Sequence, residues 1–417
     1  MSDFSDDPGR RRALSLRLYQ AALKAVDGRV CVRHWLREHP FDGPVRAVAI
    51  GKAAAAMLAG AAEALGGALQ QSLLITRRGY APAAAAGVEI IEAGHPLPDA
   101  NSLLAGERLL AFLADGAGDS RGLFLISGGA SSLVEAPVAG VTLADLQRLN
   151  QWLLAGGLPI AQINALRRRL SRIKGGRLLG HLHGRTARCL LISDVAGDDP
   201  AVIGSGLLFP PAREPALDTK AWPDWLQELL VRASATMPPP APGPDADIVA
   251  EIVAGLDRAL DAAADAARAA GLPVQRAAGR LDGDAEATGH ALAEALLRGG
   301  PGVYLWGGET TVRLPSRPGQ GGRCQHLALA AARVLAGRQG VTLLAAGTDG
   351  SDGPGEAAGA CVDGGTLARG ALEGLDANAA LEQADSGRFL AAAGDLIDTG
   401  PTGTNVTDLV IGIKGVD

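Results

Sequence analysis

Aromatic residues, basic blocks and long apolar runs are scarce in this sequence of 417 residues. Phe, Trp and Tyr together make up 3% of the chain, which argues against a protein that binds nucleic acid by stacking bases on aromatic rings. The net charge is −6, and no basic block longer than three residues occurs. We therefore expect no nucleic-acid partner, because a polyanion needs a basic surface.

Segments that would direct the chain to a membrane or an oxidising compartment are also lacking. No stretch reaches 18 uncharged apolar residues, so the sequence predicts no transmembrane helix. Residues 1–7 are acidic and precede no apolar segment, unlike a signal peptide. The four cysteines are far apart and form no C-x-x-C motif, which argues against disulfides and cysteine zinc sites. We expect a cytoplasmic protein with reduced thiols and no membrane partner.

Glycine and proline, in contrast, are plentiful, with 57 and 24 residues. Five prolines fall within residues 237–244, where they favour a stiff, extended connector. The length of the chain suggests two domains. We place these domains at residues 1–238 and 245–417.

A short apolar run, a glycine-rich polar loop and a helical pattern recur in that order on both sides of the connector. Uninterrupted apolar strands that alternate with helices are typical of a parallel sheet covered on both faces. The sequence therefore predicts two α/β domains with mainly parallel, Rossmann-like sheets, whose ligands bind at the carboxyl ends of the strands. Residues 247–270 are predicted to form one long helix. The apolar runs lie at residues 45–50, 123–126, 189–192, 303–306 and 341–346.

The first two of these loops are typical of anion binding. Lys52 directly follows an apolar run and opens a helical pattern, so its ammonium would lie beside free backbone N–H groups that attract phosphate. The alternative is a solvated lysine at the start of a helix. Only five basic residues are lysines, against 34 arginines, so this lysine stands out. Residues 127–132 offer consecutive N–H donors and three hydroxyls, which indicate either an anion nest or a tight glycine turn.

Later loops supply carboxylates and an arginine. Residues 193–199 and 348–352 place acids at strand ends, where they can hold Mg²⁺ or accept a proton, or simply form turns. Arg323 precedes a helical stretch, where it can bind a carboxylate or a transferring phosphoryl group, or lie on the surface. His95 is interpreted as a turn residue. Together these groups fit phosphoryl transfer, and no strand is followed by G-x-G-x-x-G.

Several longer segments, in this order, resemble the glycerate 2-kinase family, whose C-terminal domain is called MOFRL and whose members are also labelled hydroxypyruvate reductase. The resemblance extends from about residue 13 to residue 413. The segments are 49–53, 93–99, 126–132, 164–177, 192–199, 307–312, 321–323, 347–353 and 399–405.

The resemblance implies that two α/β domains face an interdomain cleft and that D-glycerate is phosphorylated by ATP with Mg²⁺, giving 2-phosphoglycerate. It implies catalytic roles for Lys52, Arg323 and Asp194, and metal binding by Asp194 and Asp349. It implies substrate binding by Ser127, Gly128, Gly129, Ser131, Ser132 and Glu309. It implies nucleotide binding by Asn164, Lys174, Gly347, Thr348 and Asn405.

Two other functions stay open at this point, and the sequence departs from the family pattern at several positions. The alternative activity is an NAD(P)H-dependent hydroxypyruvate reductase, and a non-catalytic ligand-binding protein is a third reading. A homodimer is left open. The family pattern is replaced at Leu207 and Leu208, where Pro-Thr is usual, at Cys324 and His326 beside Arg323, and at Arg169, where a histidine is usual.

Overall fold

The structure is a computed structural model that describes residues 7–83, 86–115, 120–156, 158–217, 219, 222–237 and 248–415. It divides into two compact units. The central unit comprises residues 28–253, and the composite unit combines residues 1–27 with residues 254–417. Two α/β units were predicted, but their division differs from residues 1–238 and 245–417. Residues 238–244 of the proline-rich connector lie outside the described residues.

The strands of the described residues form two sheets, one in each unit. They are β1 (Val45–Ile50), β2 (Leu69–Arg77), β3 (Val88–Ala93), β4 (Arg121–Ile126), β5 (Ala187–Ile192), β6 (Ile248–Ala254), β7 (Val274–Arg276), β8 (Gly302–Gly308), β9 (Val341–Gly347), β10 (Gly359–Asp363), β11 (Leu396–Ile397) and β12 (Asp408–Lys414).

Helices connect and cover these strands. They are α1 (Pro8–Ala25), α2 (Gly28–Glu38), α3 (Ala54–Leu65), α4 (Ala100–Ala114), α5 (Ala130–Leu133), α6 (Leu143–Gly156), α7 (Ile160–Arg169), α8 (Asp224–Ser234), α9 (Leu256–Ala269), α10 (Ala285–Arg298), α11 (Arg323–Leu335), α12 (Thr366–Leu372), α13 (Ala377–Glu382) and α14 (Ser386–Ala392). No helix within the described ranges has both the length and the apolar character needed to cross a membrane.

The sheet of the central unit has the strand order β3-β2-β1-β4-β5-β6, and the pairs from β1 to β5 run parallel. This confirms the Rossmann-like prediction. The order reverses between β1 and β4, and ligands of such sheets bind in the crevice at that point, beyond the carboxyl ends of the strands. The loops that begin at Gly51 and Ser127 therefore start at the expected position.

The sheet of the composite unit has the order β11-β10-β9-β12-β8-β7. Here the prediction of a mainly parallel sheet is wrong. Only β7 and β8 pair in parallel, whereas β12 lies antiparallel between β8 and β9, and β10 and β11 continue antiparallel. An apolar run indicates that a strand is buried, but it does not indicate whether the strand is parallel or antiparallel to its neighbours. Both orientations bury the apolar side chains equally well here.

The predicted helix over residues 247–270 is also corrected. Residues 248–254 form β6 beside β5, Gly255 follows in an extended conformation, and α9 begins at Leu256. The apolar spacing fits a helix, but four of the first residues after the connector are the β-branched Ile and Val that favour strands. The central unit therefore continues past the proline-rich connector and ends at Val253.

The first helix packs within the composite unit, which corrects its assignment to the N-terminal domain. Leu14, Leu18 and Ala22 on α1 are buried, and α1 contacts α9, β9 and β12. The guanidinium of Arg12 donates to the backbone oxygens of Cys361 (2.9 Å) and Leu396 (3.0 Å). These contacts join residues that are far apart in the sequence, so a division of the chain into consecutive domains does not predict them.

Candidate active site

The loops after β1 and β4 are bonded to each other at the switch point of the central sheet. The backbone N–H of Ser127 donates to Ile50 O (2.9 Å), and that of Lys52 donates to Gly128 O (3.0 Å). The Ser127 hydroxyl is buried and accepts the N–H of Ala53 (3.0 Å). Ser127, predicted to bind substrate, therefore holds the two loops together.

Gly51 is required for this close approach. Its φ of +129° lies in the region that favours glycine, and a Cβ there would lie 2.2 Å from the Ser127 hydroxyl oxygen. Any side chain would separate the two loops and displace Lys52, the next residue. The glycine that precedes Lys52 thus has a steric role in placing it.

Lys52, Gly129 and His95 converge on one small region. Gly129 has a φ of +86°, and a Cβ on it would lie 3.1 Å from His95 Cδ2 and 3.3 Å from Lys52 Cγ. The structure thus brings together two residues predicted to belong to the site and His95, for which the sequence indicates a turn. A cationic lysine, a histidine and open glycine backbone form a suitable environment for a phosphoryl oxygen.

A hydroxyl chain extends from the same loop into the interior. The Ser131 hydroxyl lies 2.8 Å from that of Ser205, which donates to Asn164 Oδ1 (3.0 Å). Asn164 in turn donates to Val202 O (3.4 Å), and the Ser132 hydroxyl donates to the carbonyl of the residue three before it (3.2 Å). Ser131 and Asn164, predicted to bind substrate and nucleotide, are therefore linked through Ser205, which the sequence did not indicate.

Lys174 lies in the interior of the central unit. Its side chain is 1% exposed, and its ammonium donates to the buried Glu135 carboxylate. Burial lowers the pKa of Lys174, although Glu135 beside it opposes the shift. The Ser171 hydroxyl also donates to Glu135. This geometry gives Lys174 a structural role, because its charge is already paired away from solvent.

Asp194 lies just beyond β5, which is the neighbour of β4 in the sheet. It is half-buried. Its position at the carboxyl edge of the sheet agrees with the predicted placement of an acid at this edge.

The second group of predicted residues lies at one edge of the composite sheet. Asp408, the first residue of β12, is in register with Gly308 of β8 and Gly347 of β9. Glu309 and Thr348 follow these two glycines directly, so the three strands bring them to the same edge. The antiparallel insertion of β12 therefore creates this arrangement.

Arg323 is held by two carboxylates at that edge. Its guanidinium donates in bidentate geometry to Asp408, through Nε at 2.6 Å and Nη2 at 3.0 Å, and pairs through Nη1 with Glu309. Burial lowers the pKa of Arg323, but the Asp408 and Glu309 carboxylates outweigh burial and raise it overall. Asp408 is buried, and no sequence motif indicated it. Its only signal was an acid next to the polar 399–407 loop.

Asp352 fixes the start of the helix that carries Arg323. Its carboxylate accepts the N–H groups of Cys324 (3.0 Å) and Gln325 (2.7 Å) in the first turn of α11. Burial, assisted by the Asp408 charge, raises the pKa of Asp352 to about 7. Asp352 belongs to the acidic loop 348–352 that the sequence indicated, and here its carboxylate caps α11.

The loop after β9 is anchored from several directions. The carbonyl of Gly347 accepts the buried phenol of Tyr19 on α1 (2.6 Å). The Thr348 hydroxyl donates to Thr407 O (2.6 Å), and Asp349 accepts both the N–H (2.9 Å) and the hydroxyl (3.1 Å) of Ser351. Gly347, Thr348 and Asp349 therefore form a loop that is hydrogen-bonded to α1 and to the 399–407 segment, where Asn405 is buried.

Most of the departures from the family pattern are buried. Leu207 and Leu208 are each 1% exposed, and they belong to the core of the central unit. Burial raises the pKa of the Cys324 thiol, and it lowers the pKa of His326, whose Nδ1 lies 3.1 Å from the Ser386 hydroxyl. Arg169 is exposed. Four of these five departures are therefore interior residues.

Comparison with known proteins agrees with this reading. A family model described as a domain of unknown function, DUF4147, matches residues 14–222, and the MOFRL family model matches residues 302–408. A D-glycerate 2-kinase of Thermotoga maritima is 34% identical over 98% of this chain and 99% of its own. The chain belongs to the glycerate kinase family.

Further relatives of this family bear on both fold and function. The crystal structure of a glycerate kinase from Thermotoga maritima superposes with a TM-score of 0.82, covering 98% of this chain and 100% of that one at 34% identity. A putative hydroxypyruvate reductase of Agrobacterium vitis is 37% identical over 97% of this chain and 94% of its own. Relatives of this chain therefore carry both names, glycerate kinase and hydroxypyruvate reductase.

Proposed function

We propose that the protein is a glycerate 2-kinase that transfers the terminal phosphoryl group of ATP to the 2-hydroxyl of D-glycerate. The observation that carries this proposal is the match, over nearly the whole of both chains, to a D-glycerate 2-kinase at 34% identity. The placement of Lys52 against Gly129 at the switch point of the central sheet agrees with it, because such a position suits phosphate oxygens.

In this reaction the 2-hydroxyl oxygen of glycerate bonds to the terminal phosphorus as the bond from phosphorus to the ADP oxygen breaks. Asp194 accepts the proton released by the hydroxyl. Lys52 stabilises the charge that develops on the phosphoryl oxygens. Arg323 donates to the substrate carboxylate or to the phosphoryl group, with the guanidinium oriented by Asp408.

Asp349 and Asp194 are the residues we propose to hold Mg²⁺ with the nucleotide. In the described part of the chain, no three His, Cys, Asp or Glu side chains are grouped to hold a metal. The donors fit Mg²⁺ nevertheless, because its nucleotide sites use one or two carboxylates completed by waters and phosphates. When bound, Mg²⁺ would neutralise phosphate charge. We propose that Gly347, Thr348, Asn164 and Asn405 shape the nucleotide site. Lys174, whose ammonium pairs with the buried Glu135, is assigned no contact with the nucleotide.

The test is to incubate the purified protein with ATP, Mg²⁺ and D-glycerate and to record a proton-coupled ³¹P spectrum of the product. A phosphate ester on carbon 2 couples to one proton and gives a doublet, whereas an ester on carbon 3 couples to two protons and gives a triplet. We expect the doublet. A triplet would correct the position of transfer, and the absence of any ester would refute kinase activity.

Reduction of hydroxypyruvate with NAD(P)H is the alternative, because a relative of comparable identity carries that name. The loop after β1 reads Gly51-Lys52-Ala53-Ala54 and has no G-x-G-x-x-G, which disfavours a dinucleotide cofactor. Hydroxypyruvate-dependent loss of NADH or NADPH absorbance by the purified protein would favour this alternative.

We infer a cytoplasmic location from the ATP requirement and from four buried cysteines that form no disulfide. The proposed partners are D-glycerate and ATP, with no nucleic acid. The homodimer stays a prediction, for which light scattering of the full chain is the measurement.

A further inference from the structure

Two buried threonine hydroxyls in the loop that precedes Asp408 have no hydrogen-bond partner within the part of the chain that the structure describes. They belong to Thr404, which is 1% exposed, and Thr407, which is 5% exposed. A buried hydroxyl without a partner loses its hydration without compensation, so such groups are rare in folded proteins. The 399–407 loop therefore contains two polar groups that its own fold does not satisfy.

Thr407 is also held in an unfavourable backbone conformation. Its φ of +75° lies in the left-handed region, which is a true outlier for a β-branched residue. Thr348 maintains this conformation, since its N–H (3.0 Å) and hydroxyl (2.6 Å) both donate to Thr407 O and its hydroxyl accepts the N–H of Val406 (2.8 Å). Strain that the surroundings enforce in this way is concentrated at functional sites.

The neighbours of these threonines indicate the chemistry of a ligand. Thr407 immediately precedes Asp408, the bidentate partner of Arg323, and Thr348 immediately precedes Asp349. The region thus combines one guanidinium, two buried carboxylates and two hydroxyl donors. An anion alone would be repelled by the carboxylates, whereas a phosphate chain with a divalent cation would satisfy both charges.

We propose that the hydroxyls of Thr404 and Thr407 donate hydrogen bonds to phosphate oxygens of the metal-bound nucleotide. This inference rests on the proposed kinase function, because that function supplies the nucleotide. It adds a specific prediction: the two hydroxyls contribute to ligand binding and not to the stability of the ligand-free protein.

Replacement by valine tests this separation, because valine keeps the branched shape and removes only the hydroxyl. The variants Thr404→Val and Thr407→Val are compared with Thr366→Val in the same unit. Thr366 is a buried threonine whose hydroxyl is satisfied, since it donates to Asp395 (2.7 Å) and accepts the N–H of Asp363 (3.0 Å). The measurements are the melting temperature without ligand and calorimetric titration with ATP and Mg²⁺, and separately with D-glycerate.

We expect Thr404→Val and Thr407→Val to melt at or above the wild-type temperature and to bind ATP with Mg²⁺ about tenfold more weakly. Their affinity for D-glycerate should be unchanged, and Thr404→Ser should retain most of the ATP affinity. Thr366→Val should show the opposite pattern, with a lower melting temperature and wild-type ATP affinity.

Three outcomes would overturn the inference. A lower melting temperature with unchanged ATP affinity would show that the hydroxyls are structural and bonded to buried water. Weaker glycerate binding in place of weaker ATP binding would show that the hydroxyls contact glycerate and not the nucleotide. Unchanged melting and binding would show that the hydroxyls have no role. If the wild-type protein itself binds no ATP, the proposed function fails first, and that failure is recognised before any variant is made.

Discussion

At the scale of single residues, composition was informative because lysine is so rare here. Lys52 is one of five lysines in a chain with 34 arginines, and the structure places its stem against Gly129. A compact ammonium and a planar guanidinium are not interchangeable where space is set by glycine backbone. The identity of this residue therefore matters as well as its charge.

We predict that Lys52→Ala lowers kcat for glycerate phosphorylation by at least about 100-fold, as loss of a group that stabilises transition-state charge does. Lys52→Arg should recover little of this, because a planar guanidinium does not replace a compact ammonium where the lysine stem lies close to the Gly129 backbone. The exposed Lys24 provides the control, and Lys24→Ala should retain wild-type rates. Steady-state kinetics measure all three, and full activity in Lys52→Ala would disprove the assigned role.

Asp352 gives a second prediction at this scale, concerning stability and pH. Its pKa of about 7 in the folded protein exceeds that of an unfolded aspartate, near 3.9. Between these values the folded state binds a proton that the unfolded state has lost. The free energy of unfolding should therefore decrease as pH rises through this window, by at most about 1.4 kcal/mol per pH unit.

The measurement is urea unfolding of wild type and Asp352→Asn at several pH values between about 4 and 8. Asparagine does not titrate, so the stability of wild type relative to the variant should fall steadily as pH rises. Other titrating groups cancel in this difference. A difference that is independent of pH would show that Asp352 is ionised throughout the range.

At the scale of elements, the start of α11 shows how local geometry positions a functional side chain. Gly322 precedes Arg323 and lies against the Asp352 carboxylate, where a Cβ would be 2.2 Å from Oδ1. Its backbone is extended, with a φ of −133°, so the obstacle to a side chain is contact with Asp352, whose backbone carbon would also lie 2.3 Å from the added Cβ. The contact joins the loop after β9 to the helix that carries Arg323.

Gly322→Ala should therefore displace Asp352 from its capping position and shift the first turn of α11. We expect kcat/KM to fall by about tenfold or more, because small displacements of a positioning group are costly, and the protein to lose about 1 kcal/mol of stability with the cap. Gly279→Ala is the matched control, since no atom lies within 4 Å of the added Cβ. Equal activities of the two variants would contradict this account.

The elements also show what the sequence could and could not reveal. The strands β1, β4, β5, β8 and β9 were predicted from continuous apolar runs, and the loops after them contain Lys52 and Asp349 as expected. β6 was missed because its apolar residues also fit a helical period. Asp408 and Thr407 were missed because their importance depends on the pairing of β12 between β8 and β9, which is not encoded in any local pattern.

At the scale of the whole molecule, the composite unit is built from both ends of the sequence. The segment 254–417 contains its sheet, but α1 covers part of that sheet with Leu14, Leu18, Tyr19 and Ala22. Burying one leucine contributes roughly 1.5–3 kcal/mol, and the net stability of a domain is only about 5–15 kcal/mol. The stability of this unit should therefore depend on α1, although more than 200 residues separate α1 from the rest of the unit in the sequence.

We predict that a fragment of residues 254–417 does not fold alone but does fold when a synthetic peptide of residues 7–27 is added. The peptide restores the apolar cover and the phenol of Tyr19 that Gly347 O accepts. The amide spectrum of the labelled fragment should change from narrow to dispersed on titration with the peptide. A peptide with Leu14→Glu and Leu18→Glu should have no effect, since it cannot bury charged side chains against the sheet. If the fragment alone is already well dispersed, residues 254–417 fold independently and the helix is an accessory, as the continuous domain division at residues 1–238 and 245–417 implied.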